Sequence, residues 1–277
     1  VEVIIDGVEV ATLVFMMYRT GPEGMQPMSM TVVDTGYGME RMTWVSQGTP
    51  SAYEAVFGPV VEHLKQLAKV EMNRRVQEEY SKVAGMTNAK TAADVRRIRE
   101  QTAERIGITY AELMRIVSPL EDIYVICDHS RALAILLNEG VVPSNVREGY
   151  FARMLVRRAL RSMRSLGIEV RLADIVAMQV DYFVPIFPEL AENREDILKI
   201  VQVEQDRYYD TLSRGKQLVD RITKDLKKGE RITTEKLIEL YDSHGLNPEL
   251  VKEFASVPVE VPDDFYRQVA ARHEKPE

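Results

Sequence analysis

Residues 31–44, TVVDTGYGMERMTW, change character abruptly: β-branched residues run into Asp34, glycines follow at 36 and 38, and Glu40-Arg41 opens a helix-like apolar tail. A strand that delivers an acid, then bare backbone, then a helix bearing an arginine makes a floor for a small zwitterion and a nucleotide. Asp34 can accept charge-assisted hydrogen bonds from an ammonium group, and Gly36 and Gly38 let a ligand lie on the main chain. Arg41 supplies a planar fork of donors for phosphate and stacks on flat rings. The same letters also suit a plain strand-to-helix turn, with glycine serving geometry and Asp34 capping.

Upstream, VEVIIDGVEVATLVFMMYR reads as two β-rich runs around Asp6-Gly7, a dipeptide that tolerates the positive φ angles of a tight hairpin. The second run, residues 8–18, is nearly all apolar and predicts a strand buried on both faces. TGPEGMQP, residues 20–27, reads as a loop, and MSMTVVD as a third strand. From residue 51 onward the chain reads helical, with Gly and Pro as punctuation. The expectation is an α+β, predominantly α fold: residues 1–50 as a short antiparallel sheet piece, residues 51–277 as a helical domain. A charged helical insertion is expected at about 73–105, peripheral, with Thr91 as an N-cap. In CDHSRALAILLNEG, Asp128 is the candidate cap and Asn-Glu-Gly the stop. An apolar stripe from Ile197 to Leu226 predicts one long helix, and Pro248 suits a first helical position.

The bulk numbers exclude several classes. With 277 residues and 45% hydrophobic composition the chain can bury a sizeable core. Its net charge of −7 creates no global field for nucleic acid, so any such contact needs a local basic patch. One cysteine rules out a disulfide framework within the chain and the start of a zinc knuckle. No apolar run reaches the roughly 18–20 residues of a membrane helix, and cytoplasm is the default compartment. The start at Val1, inside a strand pattern, reads as a cut piece of a longer protein.

DTGYGMER resembles motif 3 of class II aminoacyl-tRNA synthetases, in the form of their alanine-specific branch. EVATLVFMMYR resembles the strand before that motif. CDHSRALAILLNEGVVPSNVREGYFARMLVRRALR and LIELYDSHGLNPEL are similar to two blocks of the family's tRNA-recognising region, all in family order. The 73–105 insertion resembles the archaeal form. The resemblance implies that Asp34 binds the amino group of alanine, that Gly36 leaves room beside its methyl, and that Gly38 and Arg41 receive ATP, with Mg2+, in the intact enzyme. The implied chemistry is adenylation of alanine followed by transfer to tRNA(Ala). Motifs 1 and 2 are not in this stretch, so it is expected to be inactive alone. Zinc is not expected: His129 beside Asp128 and Cys127 makes no second ligand cluster, and no HxxxH pattern occurs.

A local basic patch does exist. In NVREGYFARMLVRRALRSMRS, residues 145–165, six arginines meet one glutamate. At about 100° per residue, Arg153, Arg157, Arg161 and Arg164 fall within roughly 80° of each other, and Ala152, Leu155, Val156, Ala159, Leu160 and Met163 oppose them. A merely soluble face interleaves both signs, and here acids at i±4 are missing. By the resemblance, Asn145 before this helix and Asp242 in LYDSHG flank the acceptor stem and distinguish its wobble G·U pair. Affinity then comes from Arg153, Arg157, Arg158 and Arg161, and specificity from the pair. Two other readings stand beside this one: a non-catalytic RNA-binding helical module with a vestigial motif 3, and an interaction protein whose arginine helix docks on an acidic partner.

Overall fold

Asp6 and Gly7 both adopt positive φ, 48° and 84°, and the chain doubles back between β1 (Glu2–Ile5) and β2 (Val8–Gly21). This is the hairpin expected of an Asp-Gly dipeptide. The computed structural model describes residues 1–70, 73–84, 91–226, 230–262, 264–265 and 268–269. β3 (Gly24–Tyr37) completes an antiparallel sheet of order β1-β2-β3. The loop expected at 20–27 shrinks to Pro22 and Glu23. Gly21 pairs with Gly24, whose φ of 98° a side chain would resist, so both strands continue to the tip. Pro27 is tolerated because β3 is an edge strand.

β2 is not buried on both faces. Val10 and Ala11 are buried, yet Phe15 is 60% and Met17 55% exposed. The helix packed on this strand, α1 (Met39–Gln47), folds back over its first residues, where the Gly38 amide donates to the Val10 carbonyl at 2.9 Å. Beyond Leu13 the hairpin runs past that cover. An apolar run states what its side chains avoid, not how far the covering helix reaches.

Helix α2 (Ala52–Leu67) starts at Ser51, whose hydroxyl accepts from the Glu54 amide, and kinks where Gly58 precedes Pro59. The charged insertion forms α3 (Arg74–Ala84) and α4 (Ala92–Ile106), the latter opened by a Thr91/Asp94 capping box. It is less peripheral than its composition suggests. Val76, Ala103 and Ile106 close a small core with Leu113 and Val117 at the start of α5 (Tyr110–Asn138). α5 also overturns the expectation that Asp128 is a cap. Thr109 and Glu112 form the capping box, and Asp128 lies deep inside a helix that continues through Pro119. Its stop at Glu139 and Gly140 is where the sequence puts it. Helices α6 (Arg147–Ser165) and α7 (Leu172–Phe183) pack on α5, followed by α8 (Glu189–Glu192).

The chain forms two compact units, Val1–Leu198 and Lys199–Glu277, with the division falling inside α9 (Arg194–Asp225). α9 is the long helix the apolar stripe predicts: Ile197, Val201, Tyr208, Leu212 and Val219 are all buried. In the second unit, α10 (Thr234–His244) and α11 (Pro248–Phe254) follow, the latter with Pro248 in its first turn. A methyl on Gly215 of α9 would overlap Leu246, so the absent side chain admits the loop between α10 and α11. Among the described residues no helix is long and apolar enough to cross a membrane.

Within the first unit a buried polar knot joins α2, α3 and α5. Lys65 Nζ lies 2.8 Å from Glu54 Oε1 and 2.9 Å from Glu62 Oε1, and its side chain is only 5% exposed. Gln77 Nε2, from the insertion, donates to Glu54 and to the Tyr124 hydroxyl, both at 2.7 Å. Burial pushes the Tyr124 phenol up from its ordinary value, and its ring stacks on Tyr53 with centroids 4.5 Å apart. Removing one member leaves a buried charge without compensation. Lys65→Ala is expected to cost about 3–5 kcal/mol in denaturant unfolding. Lys82→Ala, on an exposed pair with Glu79, should leave the midpoint almost unchanged.

Candidate functional site

The opening motif folds as the sequence suggests. Asp34 sits in β3 opposite Val14, Gly36 opposite Thr12, and Gly38 caps α1 with no side-chain cap of its own. Asp34 and Gly36, two apart on a strand, share a face, and both are exposed. A Cβ on Gly36 would meet nothing within 4 Å, so the backbone there is open from above. At Gly38 a Cβ would come 3.1 Å from Arg41 Cδ, so the missing side chain lets Arg41 fold back along the corner between strand and helix.

Arg41 is held from a direction the sequence did not advertise. Its Nη1 donates to the Glu9 carbonyl at 3.0 Å and lies 3.6 Å from Glu9 Oε2. The same carboxylate accepts from the Thr12 hydroxyl. With one nitrogen fixed on β2 and the side chain 54% exposed, the remaining donors of the fork face solvent beside the Gly36–Gly38 backbone. Glu9 was missed because one acid in a strand looks like surface decoration. Its signal is that it interrupts an otherwise apolar run.

The second element is the turn before α6. Asn145 is exposed, and Arg153 Nη1 donates to its side-chain oxygen, while Arg153 Nη2 lies 3.5 Å from the Pro143 carbonyl. What the amide can offer outward is therefore its NH2. The cap of α6 is Val146, not Asn145, and Ser144 ties the turn by accepting from the Val146 amide and donating to its carbonyl. Gly149 was also missed. The Ser144 amide donates to its carbonyl at 2.9 Å, and a methyl there would overlap Ser144 and come 2.5 Å from the Val142 oxygen. Only a residue without a side chain lets the turn lie this close to the helix.

The apolar face of α6 is as the wheel predicts, with Ala152, Leu155, Val156, Ala159, Leu160 and Met163 all buried. The arginines divide. Arg158, Arg161 and Arg164 are exposed together with Arg147, whereas Arg153 and Arg157 are half-buried, Arg153 serving the Asn145 turn. Tyr150 and Phe151, 48% and 47% exposed, sit at the same end. Asp242 belongs to the second unit, exposed in the last turn of α10, which ends at Gly245 with φ 65°.

His129 Nδ1 lies 3.3 Å from Asp128 Oδ2, and this contact, ahead of the nearby Arg131 charge, holds the Asp128 carboxyl below its usual range. Cys127 is fully buried, and burial raises its thiol pKa, which makes it a poor nucleophile. Among the described residues no three His, Cys, Asp or Glu side chains converge as a metal site.

A family profile described as tRNA synthetases class II (A) matches residues 1–277. Among curated relatives, the alanine-tRNA ligase of Pyrococcus furiosus is 49% identical over 99% of this chain and 32% of its own length. Those of Thermococcus kodakarensis and Methanothermobacter thermautotrophicus are 47% and 45% identical, each over 99% of the chain. The chain spans about a third of the length of these relatives.

The Gly149 contact carries a test of the Asn145 turn. Ala normally outranks Gly inside a helix by up to about 1 kcal/mol. Gly149→Ala should instead lower the thermal midpoint, because overpacking costs about 1–3 kcal/mol. A raised midpoint would mean that the turn is not seated on α6.

Proposed function

Because this chain belongs to the class II tRNA synthetase family, we propose that it is the segment of an alanine-tRNA ligase that carries motif 3 and grips the acceptor stem of tRNA(Ala). On this reading residues 1–50 close the catalytic domain and residues 51–277 recognise tRNA. The observation that carries it is α6: one helix buries a complete apolar face and turns Arg158, Arg161 and Arg164 outward, and the turn before it holds an amide pinned by Arg153. Such a face in an acidic chain suits the phosphates of a duplex, and a fixed amide suits a base edge.

The reaction follows from the motif's chemistry. A carboxylate oxygen of alanine attacks the α-phosphorus of ATP and pyrophosphate leaves; a terminal ribose hydroxyl of the tRNA then takes the alanyl group and AMP leaves. Asp34 would hold the ammonium of alanine by charge-assisted hydrogen bonds, Gly36 would give its methyl room, and Gly38 would keep the backbone clear below the nucleotide. Arg41 would offset phosphate charge without moving a proton, as positioned cations do in phosphoryl chemistry. The donors present fit the anionic nucleotide. Among the described residues no cluster of acids stands ready to hold Mg2+.

Asn145 and Asp242 would read the wobble G·U pair in the shallow minor groove, the amide donating to an acceptor on the base edge and the acid accepting from an exocyclic amine or a 2′-hydroxyl.

Binding of an acceptor-stem minihelix should weaken linearly in log salt. Arg158→Ala and Arg161→Ala should each reduce the slope by about 1. An unchanged slope would identify the arginines as a solvated stripe. Replacing the wobble pair by G·C should weaken binding, and Asn145→Ala should shrink that difference while leaving the salt slope intact. In the full-length protein, Arg41→Ala should reduce alanine-dependent exchange of pyrophosphate into ATP by roughly 100-fold or more. Tight minihelix binding without any such exchange would point to an RNA-binding module instead.

A further inference from the structure

Arg131 lies on α5, 91 positions from Glu40, yet its guanidinium is the point where four helices meet. Its central carbon sits 4.7 Å from the Phe57 ring centroid of α2 and 5.8 Å from that of Phe183 of α7. The two rings lie edge to face, 6.5 Å apart at 80°. Held between them, the fork extends to α1: Nη2 donates to Glu40 Oε1 at 3.2 Å and lies 3.9 Å from Asp128 Oδ1. The Arg131 side chain is only 21% exposed, so the reach toward Glu40 is fixed by aromatic packing rather than by a free chain searching solvent.

Glu40 is the residue before Arg41, in the first turn of α1. α1 has no side-chain N-cap and no buried residue of its own, so its first turn depends on outside partners. Two of these are described: Glu9 receives Arg41, and Arg131 receives Glu40. The pair joins α1 to α5 across 91 positions of sequence, and α5 is the helix on which α6 packs.

We propose that Arg131 is a positioning residue that fixes the first turn of α1, and with it the direction of Arg41, to the helical body. The role for Arg41 rests on the function proposed above; the mechanical link does not. The ion pair ties the motif-bearing turn to α5, the helix on which the basic α6 packs, so the nucleotide-facing and RNA-facing elements share one support. Lysine cannot replace arginine here, because a point charge neither stacks between two rings nor spans to a carboxylate in a fixed plane.

The test uses the full-length protein with Arg131→Met, Glu40→Gln and the double substitution. Glu40→Gln leaves the aromatic wedge untouched and keeps the test open if Arg131→Met folds poorly. In hydrogen exchange, the amides of residues 42–44 should exchange about tenfold faster in each single variant and no faster still in the double, while α6 amides keep the wild-type rate. In pyrophosphate exchange, KM for ATP should rise about tenfold in each single variant, with no further rise in the double and an unchanged KM for alanine. Minihelix affinity and its salt slope should not move. A general loss of stability would instead speed exchange in α6 as well. Unchanged α1 amides, or effects of the two substitutions that multiply, would overturn the proposal. If the unsubstituted protein shows no pyrophosphate exchange, the functional reading fails, and the amide rates alone decide the link.

Discussion

Burial of α5 on nearly every side is the constraint on which the first unit depends. Leu113, Val117, Leu120, Ile123, Ile126, Leu133 and Leu137 cover about half of its circumference and are all buried, and most of the other residues are half-buried. A helix with one narrow apolar stripe needs one partner; a helix with an apolar arc this broad needs several. α2, α3, α4, α6, α7 and α8 each pack against it. Each large aliphatic side chain buried this way contributes roughly 1.5–3 kcal/mol, so no single contact decides the arrangement. Polar groups carried inside with the helix set its register. Gln179 of α7 donates to the Cys127 carbonyl at 2.9 Å and to the Ser130 hydroxyl at 3.0 Å, so α7 cannot slide along α5 without orphaning buried polar atoms.

The parts of the fold legible in the sequence are those fixed by local chemistry. Asp6-Gly7 specifies its turn because positive φ is affordable there and nowhere nearby. Thr91 and Pro248 mark helix starts because a hydroxyl satisfies an exposed amide and proline lacks one. α6 is legible because six apolar residues recur at helical spacing on one side only. What stayed hidden depends on neighbours distant in sequence. Asp128 has the composition of a cap, but upstream packing of Leu113 and Val117 extends the helix past it. The apolar letters of β2 could not say that its distal half runs past α1.

The candidate sites show the same division. Asp34, Gly36, Gly38 and Arg41 stand together because they are consecutive on one strand and one turn, so sequence alone assembles them. The groups that orient them are remote. Glu9 acts on Arg41 across a strand pair, and Glu40 meets Arg131 from α5. Asn145 was visible as an amide just before the basic helix, but the seat for that turn is an absence, the missing side chain of Gly149, and an absence on a helix reads as a weak position until the neighbouring backbone is in place.

Both ends of the molecule's proposed work use one physical device. A flexible donor or acceptor is tethered at one atom by a fixed group, leaving its other atoms aimed. Arg41 has one nitrogen on Glu9 and the rest of its fork toward solvent; Asn145 has its oxygen on Arg153 and its NH2 turned away. Freezing a long side chain on binding costs up to about 2 kcal/mol of rotamer entropy. A tether incurs that cost during folding, where the buried surface of α5 and its neighbours offsets it. The tethers also set a limit on each site. Glu9 already answers part of the Arg41 charge, so the donors left free favour a ligand with more negative charge than one carboxylate, phosphate over carboxylate, at that position.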